Sequence, residues 1–289
     1  METVSWMTDY LPVHMLAMAQ QAELRFGDCL MSCPQTSDGT IRIDDPVIFT
    51  RLLECRITSL LLSMAALESY LGYYAWETAQ NIERDHPGIS FHDYLEQKKL
   101  PEAIKSLPNR VKRRHEQIVE EYGAKPIARF LTVARLALEE KFMYWPLIRT
   151  GKLINYKDGY VKKVMRNMAL RDELLQPNIA NAPELRKIKT VSEIKDVFLR
   201  HDLPASLTPG PSCAEEYVVE TYAEHHFFWE LLHIYPARMV PEAVQYLHML
   251  DDSENHFIAA LRAAELVDGE GNLVVEPMKK FIIEVNLEG

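Results

Sequence analysis

Seven apolar residues between Leu53 and Tyr74 constrain the fold of this chain more than any other feature. Leu53, Ile57, Leu60, Met64, Leu67, Leu71 and Tyr74 follow one another at alternating steps of four and three. An α-helix turns once per about 3.6 residues, so such steps keep side chains on one side of it. The pattern predicts a helix from about Asp45 to about Ile82 with a continuous apolar seam. Leu52, Leu61, Leu62 and Ala66 widen the seam into a face, as expected for the central helix of a bundle. The same seam would also serve a dimer.

Composition agrees with a helical, globular chain. Hydrophobic residues make up 47% of the 289 residues and only 11 are glycine. The formal charge of −10 excludes a protein whose whole surface binds nucleic acid, but leaves room for a local basic patch. No apolar run reaches the length of a membrane span. The opening METVSWMTDYLPVHM has no basic segment before an apolar one, so no signal peptide is expected and the reading is cytoplasmic. Cys29, Cys33, Cys55 and Cys213 complete no zinc pattern and read as scattered free thiols in a reducing compartment.

Proline and glycine punctuate the rest. A first helix is predicted over roughly 10–32, then a turn-rich piece, PQTSDGTIRIDDP. DHPGIS ends the long helix, and a short one, FHDYLEQKK, follows. NRVKRRHEQIVEEYG forms a further helix, with Gly123 in the position of a C-terminal cap. PIARFLTVARLALEEKFMYWPLIRTG reads as one helix interrupted at Pro146 and stopped at Gly151. The next helix, Tyr160–Leu175, ends before Pro177. Residues 177–212 hold five prolines and read as a linker around one short helix. A long helix, AEEYVVETYAEHHFFWELLHIYP, opens the C-terminal part, followed by PEAVQYLHML and DSENHFIAALRAAELV. DGEGN between LVD and LVVEP predicts a terminal β-hairpin. The expectation is an all-α, up-and-down bundle with extra C-terminal helices and this small hairpin. Its parts are 1–44, a bundle at 45–180, a linker at 181–212 and a helical region at 213–289.

One helix end carries chemistry-bearing residues: RDELLQP, Arg171 to Pro177. An Arg offers a planar fork for phosphate oxygens and neutralises charge that builds in a transition state. Asp172 can orient it. Gln176 donates and accepts hydrogen bonds but does not titrate.

Three segments in order resemble the HEPN superfamily of helical domains. SLLLSMAALESYLGYYAWE (59–77) is similar to the family's second helix. LALEEKFMYWPLIRTGK (136–152) is similar to a Leu-Glu-Lys-aromatic segment running into Leu-Pro and Gly. RDELLQP resembles the motif Arg-(Asn/Asp)-x-x-x-His-Pro. The resemblance covers about residues 45–180. It implies a four- or five-helix bundle, often dimeric, with the motifs of two chains lining one cleft. Active members are metal-independent endoribonucleases in which the ribose 2′-hydroxyl attacks the adjacent phosphate. Carried onto this chain, the site is Arg171, Asp172 and Gln176. The departure is at Gln176, where the family has His. General acid–base work contributes about 10²–10⁴-fold, so the site is expected to be impaired or inactive. The resemblance points to an RNA-linked role in stress or defence.

Two other strings fit the motif less well. RNMALR places Arg166 and Asn167 first but puts Arg171 where His belongs, with no Pro after it. RVKRRH, Arg110 to His115, has the literal residue types, but on a highly charged helix ahead of the family's position. Around the motif, Arg149, Lys152, Lys157, Lys162, Lys163, Arg166 and Arg171 are interrupted only by one acid, Asp158. Lys157, Lys162, Lys163 and Arg166 are the candidate nucleic-acid contacts, with Tyr156 and Tyr160 placed to stack on bases.

In the C-terminal part, Glu220, Glu224, His225, His226, Glu230 and His233 contain one ExxH step, Glu230 to His233. His248, Glu254 and His256 follow. A di-iron bundle needs two such steps and two further Glu, so no metal and no cofactor are expected. Three readings therefore stand: an RNA-associated HEPN-like protein, a non-catalytic dimerisation or scaffold module, and a ferritin-like metal carboxylate protein. The expected partners are RNA, a second copy or another protein, and no membrane.

Overall fold

A computed structural model describes residues 2–37, 39–100, 104–105, 109–155, 157–175, 230–251, 256–270 and 283–285. The chain is mostly helical. Its elements are α1 (Glu2–Met31), β1 (Ile41–Ile43), α2 (Pro46–Asp85), α3 (Phe91–Gln97), α4 (Asn109–Tyr122), α5 (Ile127–Val133), α6 (Leu138–Thr150), α7 (Gly159–Leu175), α8 (Pro236–Asp251), α9 (His256–Ala263) and β2 (Ile283–Val285). Among the described residues no helix is long and apolar enough to cross a membrane.

The heptad helix forms almost where its pattern places it. Asp45 starts it: the Asp45 carboxylate accepts the Val47 N–H at 2.8 Å, satisfying a donor that the first turn leaves unpaired. Leu60, Met64, Leu67 and Leu71 are fully buried and Tyr74 nearly so. The seam is less deep at its start, where Leu53 and Ile57 are only half-buried. There the fully buried positions are Leu52, Arg56 and Ser59. The buried face thus lies one position ahead of the apolar pattern, and it carries polar groups.

Two expectations change, and a strand pair forms that the sequence did not lead one to expect. The segment 127–150 is two helices, and the break falls at Ala134–Ala137, not at Pro146, which lies inside α6. The second start is stabilised locally, since Glu140 reaches back to accept the Ala137 N–H at 3.0 Å. The first helix begins at Glu2 and runs through Pro12, which the sequence reading placed near its start. The strand pairing is parallel, with Ile41 opposite Ile283 and Ile43 opposite Val285. A parallel pair needs a long crossover and cannot come from an adjacent turn. The second strand of the expected DGEGN hairpin lies outside the described residues.

Two glycines have identifiable causes. Gly151 ends α6 at φ +73°, the left-handed cap that only glycine adopts cheaply. Gly123 ends α4 for another reason: a Cβ there would sit 2.4 Å from the Val119 carbonyl oxygen.

The chain forms two compact units. The first comprises residues 1–17, 63–168 and 238–274, the second 18–62, 169–237 and 275–289. In the first, two ion pairs join α2 to α6: Glu68 with Lys141 at 2.6 Å and Glu77 with Arg149 at 2.5 Å. Both partners advance in the same order, so these helices run parallel. Tyr70 ties α8 and α9 to this core, with its hydroxyl 2.6 Å from His248 Nε2 and its ring 5.1 Å from that of Phe257. The second unit centres on Phe26, Leu30, Cys33, Ile41, Ile43, Leu52 and Leu232.

Candidate functional site

The helix α7 carries the sequence motif. Alternating burial explains how it is set: Val161, Val164, Asn167, Met168 and Leu170 are buried, while Lys162 and Lys163 are exposed. Asp158 starts the helix, its carbonyl accepting the Lys162 N–H at 3.1 Å. Lys157, on the approach to α7, is also exposed. None of these three lysines makes an ion pair among the described residues. Arg166 is half-buried.

Near the C-terminal end, Arg171 is half-buried and its guanidinium is held by its neighbour. Nε and Nη2 both donate to Asp172 Oδ1, at 3.0 and 2.8 Å. The Arg171 side chain is 15% exposed and that of Asp172 56%. Asp172 therefore orients the fork and also neutralises it. A phosphate would have to share Arg171 with this carboxylate. Gln176 and Pro177, and the aromatic Tyr156, lie outside the described residues. The Tyr160 side chain does too.

The rest of the basic run is already engaged. Arg149 pairs with Glu77 and lies 4.5 Å above the Tyr74 ring centroid. Lys152 donates to the Leu250 carbonyl at 2.7 Å. The charge available to a ligand is thus smaller than a count along the sequence suggests.

His115, the residue of the rival Arg-x4-His string, is not a free proton carrier. Its Nδ1 is hydrogen-bonded to the Tyr144 hydroxyl, and the two rings stack at 5.8 Å. Burial pushes the imidazole below its ordinary value, with Glu116 opposing. Burial also pushes the Tyr144 hydroxyl far up, helped by Glu140. Its neighbour Arg114 bonds Glu140 at 2.9 Å. The pair is a neutral, packed hydrogen bond.

In the C-terminal part, Glu220, Glu224, His225, His226 and Glu254 lie outside the described residues. Glu230 and His233 are half-buried, His248 is bonded to Tyr70, and His256 is exposed. Among the described residues no group of three or more His, Cys, Asp or Glu side chains is placed to hold a metal.

The sequence reading missed a buried charge cluster in the second unit. Arg56 is fully buried and its guanidinium lies between two rings, 3.5 Å from the Phe26 centroid and 4.4 Å from that of Tyr235. Burial lowers its proton affinity, while Glu23 and Tyr235 favour the charged form. Arg56 Nε donates to the Leu232 carbonyl at 3.2 Å. Glu23, 3% exposed, accepts from Ser59 Oγ at 3.0 Å and from the Ala237 N–H at 2.9 Å. The cation therefore meets a carbonyl of the helical turn 230–233, and the anion meets an N–H of the first turn of α8. Each charge sits at the helix end whose dipole it complements. The only sequence signal was a polar triplet, Arg56, Ser59 and Ser63, at helical spacing inside an apolar stretch.

No family model, curated protein or solved structure matches this chain.

Proposed function

We propose that this chain is an RNA-associated, HEPN-like protein whose α7 holds the phosphate backbone of single-stranded RNA without cutting it efficiently. The observation that carries the reading is the set of exposed lysines Lys157, Lys162 and Lys163, unpaired among the described residues, in a chain of net charge −10. A local excess of positive charge in an acidic protein is what phosphate binding requires. Poor cutting follows from two features. Gln176 cannot move a proton, and Arg171 already shares its fork with Asp172.

The test is binding of a fluorescent oligoribonucleotide across a salt series. Three lysine–phosphate contacts give a slope of log affinity against log salt of about −2 for a single strand. Lys162→Glu with Lys163→Glu should weaken binding and flatten that slope by about 1.4. No binding at low salt, or binding untouched by the two reversals, would overturn the reading.

One observation favours the scaffold reading instead. Trp76 is 48% exposed on α2, its ring 5.9 Å from Tyr73, and Gly72 beside them faces open space. If that face rather than α7 is the working surface, Trp76→Ser alters oligomeric state or partner capture and leaves RNA binding unchanged.

A further inference from the structure

Three of the four cysteines meet in the second unit. Cys29 lies in the last turn of α1, Cys33 two residues past its end, and Cys55 in the third turn of α2. All three pack with the cluster of Phe26, Leu30, Ile41, Ile43 and Leu52. Cys33 is buried, and its thiol donates to the Cys29 carbonyl at 3.3 Å. Glu23 with Ser59 at 3.0 Å and Phe26 with Arg56 at 3.5 Å set α1 and α2 antiparallel, which brings Cys29 and Cys55 to the same stretch of the packed pair.

Cysteine is a small hydrophobe, and filling a core would account for Cys33. It does not account for the other two. Cys29 and Cys55 stay half-exposed, on two different helices that pack on one cluster. Both have cations beside them: Arg51 near Cys29, and Arg25 and Arg56 near Cys55. Partly exposed thiols with cationic neighbours are the setting in which oxidation is site-selective.

We propose that Cys29 and Cys55 form a peroxide-responsive disulfide that staples the end of α1 to the start of α2. The Cys29 thiolate attacks one oxygen of a hydroperoxide, the O–O bond breaks, and the other oxygen leaves and takes a proton. Cys29 is then a sulfenic acid. The Cys55 thiolate attacks that sulfur, the S–S bond forms, the S–O bond breaks, and hydroxide leaves as water. With hydrogen peroxide, two thiols lose two hydrogens and the oxidant is reduced to two waters. Cys33 is the poorer resolving group, being buried and hydrogen-bonded to the Cys29 carbonyl. Burial pushes all three thiols up, the arginines only partly opposing it. Little thiolate is present near neutral pH, so the staple answers sustained oxidation rather than turning over.

The full chain carrying Cys213→Ser, which leaves only the three grouped thiols, is exposed to millimolar hydrogen peroxide. Remaining thiols are alkylated and the protein is digested with trypsin. Cys55 is released within LLECR, while Cys29 and Cys33 share one peptide whose fragmentation separates them. The expected product joins Cys55 to Cys29, within one chain, and is reversed by dithiothreitol. In Cys55→Ser, Cys29 should be trapped as sulfenic acid by a dimedone-type probe. A bond from Cys29 to Cys33, a bond between two chains, or three thiols still open to alkylation would each overturn the assignment.

Discussion

Replacing Arg56 by Met keeps much of the side-chain volume and removes the charge, and this substitution tests the buried cluster most directly. Three contacts are lost. One is the charged hydrogen bond from Nε to the Leu232 carbonyl at 3.2 Å, in a class worth about 1.5–3 kcal/mol. The others are the stacks on Phe26 and Tyr235, each of order 1 kcal/mol or more when desolvated. Glu23 stays buried, with Ser59 and the Ala237 N–H still donating to it, but loses the nearby positive charge. Against this, the desolvation of Arg56 itself is relieved. Glu23 acts on Arg56 through space, and Nη1 and Nη2 make no hydrogen bond among the described residues, so the three lost contacts set the expected cost of Arg56→Met at about 2–4 kcal/mol. Glu23→Gln should also destabilise. In the double variant neither charge remains, so its cost should fall short of the sum by about 1–3 kcal/mol. Urea unfolding followed by circular dichroism gives each value as a midpoint shift at constant slope. If Arg56→Met costs under about 1 kcal/mol, or the two changes add within about 0.5 kcal/mol, the charges are not coupled in a closed interior and the helix-end argument is wrong.

Further outcomes follow from other parts of the fold. Leu60→Ala and Leu67→Ala should each cost about 2–5 kcal/mol, since both side chains are fully buried; unchanged urea midpoints would place the seam on the surface. Gly123→Ala should cost about 1–3 kcal/mol as the Val119 carbonyl moves aside, and an unaltered melting temperature would mean that α4 frays there. His115 has a lowered proton affinity in the fold, so the unfolded chain binds its proton first as pH falls. Its contribution is complete above about pH 6.5 and is lost as pH drops through the lower folded value. His115→Gln should therefore flatten the fall in melting temperature below that pH, and parallel curves for the two proteins would refute it. Gln176→His should add metal-independent RNA cleavage, measured with chelator present and abolished by Arg171→Ala; efficient cutting by the natural chain would show that another residue moves the proton.

The sequence made the helices legible where apolar spacing decides them. The heptad from Leu53 to Tyr74 and the glycine stop at Gly151 are local signals; the long helix formed within a few residues of its expected bounds, and the stop fell where it was expected. The break at Ala134–Ala137 was hidden because no proline or glycine marks it; it depends on Glu140 bonding the Ala137 N–H and on burial of Leu136. The parallel pairing of Ile41–Ile43 with Ile283–Val285 was hidden for a different reason: three-residue strands far apart in the chain leave no periodicity to read. The three thiols are similar, since Cys29 and Cys55 reach one cluster only through the packing of α1 and α2.

The polar contacts also show where counting charges along a chain fails. Seven basic residues from Arg149 to Arg171 suggest one continuous patch, yet their partners come from elsewhere: Glu77 takes Arg149 and the Leu250 carbonyl takes Lys152. Arg171 is occupied by the very next residue, a geometry that the motif does not distinguish from a free clamp. What survives is the group at 157, 162 and 163, which is exposed because the buried positions of α7 are filled by Val161, Val164 and Met168. The same logic runs in reverse at Arg56, where an apolar stretch conceals a cation that the core must hold, and the Leu232 carbonyl, the Phe26 and Tyr235 rings and the charge of Glu23 favour it there. A basic residue in this chain is therefore open to a ligand only where its own helix turns it outward and no acid or carbonyl reaches it first. On α7 that condition selects Lys162 and Lys163 ahead of Arg171, which is why charge reversal at those two positions is the decisive substitution for the RNA reading.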